Sequence, residues 1–422
     1  MARRRPILDF LVPDQFRGAP ERCYLKAVNL TMKPTNRLCR HMTRIVFVAT
    51  EDWSIITYRL PVLRAARDAG YEIHVITRVD RHRQAIEAEG AVVHPIDFRR
   101  GSSRPDYLAR TVVSVRRLYK EIRPDIVHSF AVQAVIVATL ATTGLELRVV
   151  NSVTGLGTVF TSARGIVPQV IAMLLPRLLA RPLTSAVVQN QDDVDFLRLL
   201  GVPERNIDLV AGSGVDVDVL LPMSEPLGEP TIAYVGRMLE DKGVRTLVEA
   251  HRILRRAGKA PRLLLAGTTD PLNPSSIPEG QVRSWGEEPG VIWLGHVENI
   301  AEVWRAAHIA VLPSRREGLP KSLLEAAACG RPLIASDVPG CRAAVRSGAN
   351  GLLYPFGDAN ALAAAIVRLV DDPELRRRYG EESRRRAIEE FSSARIGREI
   401  VGIYERLLRS SSGSGAMRQR LG

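Results

Sequence analysis

The richest chemistry in this 422-residue chain lies in LPSRREGLPKSLLEAAACGRPLIASDVPG, residues 312–340. Glu325 sits in its apolar run LLEAAACG. A carboxylate there either lies on an exposed stripe or is buried with a partner, because an unpaired buried charge is strongly unfavourable. Eight residues upstream, Glu317 precedes Gly318, Leu319 and Pro320. Pro320 suits the first turn of a helix, where its missing N–H is no loss, and Gly318 lets backbone approach a ligand closely. The N–H groups near Leu319, Lys321 and Ser322 then point out of a helix N-terminus, an anion site fit for a diphosphate. Glu325 falls two turns inside that helix. Two acceptor-only carboxylates flanking a phosphate site make sense as hydroxyl binders. A nucleotide sugar offers hydroxyls at both of its ends.

A second segment, YVGRMLEDKGVRTLVEA (234–250), reads as a strand ending in Val235-Gly236, then Arg237, a turn, and Lys242-Gly243 opening a helix. Arg237 would grip an anion as a fork and Lys242 as a point charge. Together they would stabilise charge on a departing diphosphate. Taken singly, each reads first as an ordinary surface cation beside a turn. Asp216 and Asp218, which imitate a metal motif, read as a turn carrying two acids, and no metal site is expected.

These residues need elements to position them, and the chain supplies alternating β and α segments. Continuous β-branched runs occur at 44–50, 72–77, 91–97, 125–130, 148–153 and 185–190, with helical stretches such as Tyr58–Ala69 and Leu108–Ile122 between them. Such runs are strands buried on both faces, as in a parallel sheet. The series restarts at 231–237, 262–268, 291–297, 309–314, 331–338 and 350–356, after a Gly- and Pro-punctuated connection at 207–230. The expected fold class is α/β, two Rossmann-like doubly wound domains facing a cleft, with ligands beyond the carboxyl ends of the strands. The domain expectations are a basic, disordered extension at 1–42, an N-terminal domain at 43–215 and a C-terminal domain at 216–390. A helix at 391–408 is expected to pack back on the N-terminal domain, and a disordered tail follows at 409–422. Met42, just before the ordered sequence, is a candidate start. The arginines and glutamates of 373–391 fall at i,i+3 and i,i+4 spacings and read as a solvated face.

The bulk numbers bound the function. A length of 422 residues with 45% hydrophobic content suits two domains rather than one core. The net charge of +13 suits an anionic partner, or reflects arginine-rich codon usage. Aromatics are 5%, too few for an obvious base-stacking platform, so nucleic acid is not the expected partner. Cys23, Cys39, Cys329 and Cys341 form no metal or disulfide pattern, which suits a reducing compartment. The apolar segment Ile166–Leu183 is interrupted by Pro168, Pro176, Arg177 and Arg181, so it reads as a core helix or a membrane-touching surface rather than a span. MARRRPILDF lacks the apolar stretch of a signal peptide.

The segments VGRMLEDKG (235–243), EGLPKSLLEAAACGRP (317–332), NGLLYPFGD (350–358), VQNQDDVDFL (188–197) and GVDVDVLLP (214–222) resemble those of the retaining glycosyltransferases of family 4, which have the GT-B fold. The resemblance spans about residues 44–408, and the Glu-x7-Glu spacing around Gly-Leu-Pro is its most specific part. It implies that Arg237 and Lys242 bind the donor diphosphate, that Glu317 contacts the donor sugar, and that Glu325 binds the ribose hydroxyls. Gly236 and the backbone of Gly318 to Ser322 would complete the donor site. His128, in DIVHSF, would face the donor sugar from the N-terminal domain. The sequence departs from many members in ATEDWSIITYRLP (49–61), which lacks their Gly-rich loop. A subset acting in surface-polysaccharide or lipid-linked oligosaccharide synthesis carries a similar version, with TGLG (154–157) later. Glu51, Trp53, Arg59, Arg100 and Thr154 are the corresponding candidates for acceptor or donor-sugar contacts. The implied reaction moves a hexose from a UDP- or GDP-sugar to a hydroxyl of a glycan or lipid-linked acceptor, with no cofactor and no metal. It would take place in the cytoplasm, at an anionic membrane surface where the acceptor is lipid-linked. The competing readings are a nucleotide-sugar 2-epimerase of related fold and a non-enzymatic binder of anions or nucleic acid.

Overall fold

The structure, a computed structural model, describes residues 42–99, 104–154 and 166–410. Thr43 onward forms a single compact unit. Within it are two sheets whose strands all run parallel. The first comprises β1 (Arg44–Glu51), β2 (Glu72–Arg78), β3 (Val92–Pro95), β4 (Ile126–Phe130), β5 (Arg148–Ser152), β6 (Thr184–Val188) and β7 (Ile207–Leu209), in the order 3-2-1-4-5-6-7. The second comprises β8 (Thr231–Val235), β9 (Arg262–Ala266), β10 (Val291–Gly295), β11 (Ile309–Leu312), β12 (Leu333–Ser336) and β13 (Gly351–Tyr354), in the order 10-9-8-11-12-13.

The continuous apolar runs form the inner strands because both faces of the sheet are covered there, leaving no polar side for alternate residues, whereas the edge strand β10 leaves Ile292 and Leu294 exposed. In β4 all of Ile126–Phe130 is buried. In both sheets the order reverses beside the first strand, between β1 and β4 and between β8 and β11. At such switch points consecutive loops diverge and open a crevice at the carboxyl ends of the strands.

Some segments differ from the sequence expectation. Residues 207–209, expected within the connection, add β7 to the first sheet. The helix expected at Tyr58–Ala69 is Leu60–Asp68, and a further helix not expected from the sequence, Asp52–Tyr58, precedes it across a break at Arg59. Pro320 is the N-cap of the helix Lys321–Ala328 rather than part of its first turn, since its ψ of 112° is extended. The helix Pro373–Glu389 is not wholly solvated: Arg376 and Arg386 are 6% and 2% exposed. Arg376 donates to the carbonyls of Leu369 and Val370, and Arg386 to those of Ala343 and Ala344. Their guanidinium forks satisfy helix-end and loop carbonyls that apolar side chains would leave unpaired.

The final helix, Ser393–Arg409, returns to the first domain. Ile396, Ile400, Ile403, Tyr404 and Leu407 form one buried stripe in its core. The two strands of chain that cross between domains lie side by side: Val215 N–H donates to Phe391 O at 2.8 Å, and Ser393 N–H donates to Val215 O at 2.9 Å.

Gly243 holds the loops after β8 and β11 together. Its φ is 67°, and a Cβ there would lie 2.0 Å from the carbonyl oxygen of Pro313. Gly243→Ala is expected to cost about 2–4 kcal/mol of unfolding free energy in urea denaturation. Gly357→Ala, also at positive φ (84°) but with open space around it, should cost only about 1 kcal/mol.

Candidate active site

The C-terminal wall of the cleft is built from the loops leaving β8 and β11. After β8, Gly236 and Arg237 turn outward, and Arg237 Nη1 lies 2.6 Å from Asp270 Oδ2. The short turn Glu240–Lys242 then brings Lys242 Nζ to 2.6 Å from Glu317 Oε1, beyond β11. Arg315 N–H donates to Asp241 O at 2.8 Å, a second tie between the two loops. Gly340 supports the turn from below, since a Cβ there would lie 2.5 Å from the carbonyl oxygens of both Glu317 and Gly318. The helix Lys321–Ala328 opens here, and its first N–H groups have no acceptor within the helix. Glu325 is one turn inside, not two, with 14% of its side chain exposed and Lys321 Nζ 3.6 Å away.

The N-terminal wall comes from beyond the carboxyl ends of β1, β5, β6 and β7. Thr57, Tyr58 and Arg59 face the cleft with Thr154, Gln189 and Ser213. They enclose a cavity of about 430 Å³ with Gly236, Arg237, Lys242, Glu317, Leu319, Pro320, Lys321, Ser322 and Glu325. Contacts bridge the walls: Lys321 Nζ donates to Thr57 O at 2.8 Å, and Asn190 Nδ2 donates to Gly318 O at 2.9 Å.

The remaining candidates lie outside this cavity. Glu51 is buried, accepting from Trp53 Nε1 at 3.1 Å and Arg78 Nη2 at 3.0 Å. Trp53 is 38% exposed and meets Tyr58 edge to face at 6.0 Å. His128 is fully buried behind the wall, with Nδ1 2.5 Å from the Tyr404 hydroxyl and Nε2 2.8 Å from Ser152 Oγ. Burial, together with the Arg59 charge, holds its pKa well below the ordinary imidazole value, so it is neutral at physiological pH. Arg100 lies outside the described residues. Asp216 accepts from the backbone N–H groups of Asp218 and Val219, closing a turn.

Sequence reasoning missed Asp270, Gln189, Asn190, Ser213, Gly340 and Tyr404. Only Asn190 left a local signal: it caps the helix Gln191–Leu199 by accepting from Asp193 N–H. The others reach the site through long-range packing. A larger cavity, about 620 Å³, lies near Arg331 at the opposite end of β12. Its arginines are held by carbonyls and carboxylates, among them Arg331 by Trp304 O and Arg376 by Glu225. Chemistry rather than volume therefore selects the cleft.

Two Rossmann-like domains with their strand ends facing one polar cleft are the GT-B fold. A model of group 1 glycosyl transferases matches residues 229–372, and one of glycosyl transferase 4-like domains matches residues 44–181. The chain belongs to the family-4 glycosyltransferases of GT-B fold. It is similar to the N,N'-diacetylbacillosaminyl-diphospho-undecaprenol alpha-1,3-N-acetylgalactosaminyltransferase of Campylobacter jejuni, with 26% identity over 87% of this chain and 100% of that protein. Among solved structures it resembles sucrose-phosphate synthase from Thermosynechococcus elongatus, with TM-score 0.74, 23% identity, and coverage of 87% of this chain and 100% of that one. It also resembles Anabaena HepE in complex with UDP-glucose, with TM-score 0.69, 17% identity, and coverage of 86% and 99%.

Burial raises the pKa of Glu325, and the Lys321 charge opposes the shift. A carboxyl with a raised pKa binds more protons folded than unfolded, so its contribution to stability falls as pH rises above the ordinary value of 4.5. Glu325→Gln is therefore expected to unfold at a higher temperature than wild type at pH 7, without ligand. The difference should shrink toward pH 4 in scanning calorimetry.

Proposed function

We propose that this glycosyltransferase moves a hexose from a nucleotide-diphosphate sugar to a hydroxyl of a lipid-linked or polysaccharide glycan, with retention of anomeric configuration. The observation that carries the reading is the meeting, in one cavity, of Arg237, Lys242, Glu317, Glu325 and the opening of the helix Lys321–Ala328. Arg237, Lys242 and the N–H groups of Lys321 and Ser322 hold the diphosphate, UDP or GDP, through charges the chain itself supplies. Glu325 accepts from the ribose hydroxyls. Glu317, oriented by Lys242, accepts from the sugar hydroxyls. Gly318 contributes through its backbone, held by Asn190.

The bond between the anomeric carbon and the phosphate oxygen breaks with its electron pair leaving on the diphosphate. The acceptor hydroxyl adds to the same face, and its proton passes to the departing phosphate oxygen. The cations lower the energy of the charge that develops there. His128, as a neutral imidazole, reaches the donor sugar by exchanging Ser152 for a sugar hydroxyl at Nε2. Glu51 sets the orientation of Trp53, which with Tyr58 forms an aromatic ledge for the acceptor glycan at the cleft mouth. The diphospho-undecaprenol in the Campylobacter relative's name supports a lipid-linked acceptor, met at the inner face of a membrane. Among the described residues no helix is long and apolar enough to cross a membrane, so this attachment would be peripheral.

Calorimetric titration of UDP, GDP and ADP tests the donor site. One nucleotide should bind wild type and bind Glu325→Ala roughly 10- to 100-fold more weakly, the loss expected when hydrogen bonds to a charged group are removed. No binding of any of the three by folded protein would sink the reading. With donor and acceptor supplied, the product should carry the donor's anomeric configuration by NMR, and turnover should persist in EDTA. Isomerised donor sugar formed without any acceptor would point instead to a 2-epimerase.

A further inference from the structure

The cleft cations differ in one respect. Arg237 is paired with Asp270, Lys242 with Glu317, and Lys321 with Glu325. Arg59 has no carboxylate partner among the described residues, although it is only 9% exposed. Its guanidinium lies 4.5 Å from the centroid of the Phe130 ring, which supports one face of the fork. A buried cation without a counter-charge is strongly unfavourable unless an anion completes the site.

Arg59 is the single residue between the helices Asp52–Tyr58 and Leu60–Asp68, and it lines the cleft cavity. Thr154, Gln189 and Ser213 line the same wall and offer neutral hydrogen-bond donors around it. Burial pushes the pKa of Arg59 down to about 10, so it keeps its proton at neutral pH.

We propose that Arg59 is a phosphate-binding residue of the N-terminal wall, which grips an organic phosphate or diphosphate in the cleft against the C-terminal anion site. This rests on the transferase reading above. The phosphate has two possible sources, the donor diphosphate and the diphosphate of a lipid-linked acceptor.

The test is calorimetry on wild type, Arg59→Gln and Arg59→Lys. The probes are UDP, GDP, uridine, guanosine and, as a soluble lipid diphosphate, farnesyl diphosphate added with the nucleotide present. If the donor is the source, Arg59→Gln weakens nucleotide diphosphate binding at least tenfold, leaves the nucleoside unchanged, and is partly rescued by Arg59→Lys. If the acceptor is the source, nucleotide binding stays within twofold and farnesyl diphosphate weakens at least tenfold. Arg59→Lys keeps the charge but loses the fork, and a threefold or greater loss in it supports the proposal even if Arg59→Gln fails to fold. Wild-type binding that both variants leave within twofold for every probe overturns the assignment of Arg59 alone. Failure of wild type to bind either nucleotide overturns the donor reading; farnesyl diphosphate binding then still decides Arg59, which is overturned if that too is unbound or unchanged.

Discussion

Lys242 and Glu317 belong to loops that leave different strands, β8 and β11, and they meet at 2.6 Å where both side chains are mostly covered. The pair is in register only because Gly243 lets its own backbone touch Pro313 and because Arg315 bonds to Asp241. Glu317 is thereby held beside the start of the helix Lys321–Ala328, where a carboxylate would otherwise compete with any arriving phosphate for the same N–H groups. Paired with Lys242, it is neutralised and aimed, leaving the helix opening free for an anion. The C-terminal half of the cleft depends on that arrangement.

The opposite wall is organised by packing rather than by ion pairs. His128, Phe130, Phe47 and Tyr404 form a buried aromatic cluster under Arg59, with His128 and Phe130 ring centroids 4.1 Å apart. Tyr404 arrives on the final helix, so the end of the chain helps to shape the floor of the first domain. The chain crosses between domains at Val215 and again at Phe391–Ser393, and those two crossings are bonded to each other. Lys321–Thr57 and Asn190–Gly318 link the two walls at the cleft.

Much of the fold was legible because a parallel sheet covered on both faces leaves a plain mark, a continuous β-branched run between polar punctuation. The runs at 125–130 and 309–314 lie over β4 and β11, and only their ends moved by a residue or two. The short helix Asp52–Tyr58 and the break after it at Arg59 were not legible: the expected helix 58–69 is found as Leu60–Asp68, and the turn before it is decided by what the two short helices pack against. The burial of Arg376 and Arg386 was hidden for a related reason. Their spacing fits a solvated ion-pair face; Arg376 is taken inward by carbonyls at the end of the preceding helix, and Arg386 by those of Ala343 and Ala344, which are distant in sequence.

By itself the sequence determined the α/β class, the doubling of the domain, and the spacing that puts Glu317, the helix opening and Glu325 on one short segment. Those features are local, set by side-chain branching, by Gly and Pro, and by helical periodicity. Tertiary structure alone decided that Glu317 answers to Lys242, that Asp270 takes Arg237, that His128 sits behind the wall with both nitrogens engaged, and that Arg59 has no counter-charge among the described residues. Those outcomes depend on which residues, distant along the chain, compete for the same few ångströms at the ends of the strands, and a charge's partner is settled by that geometry rather than by its neighbours in sequence.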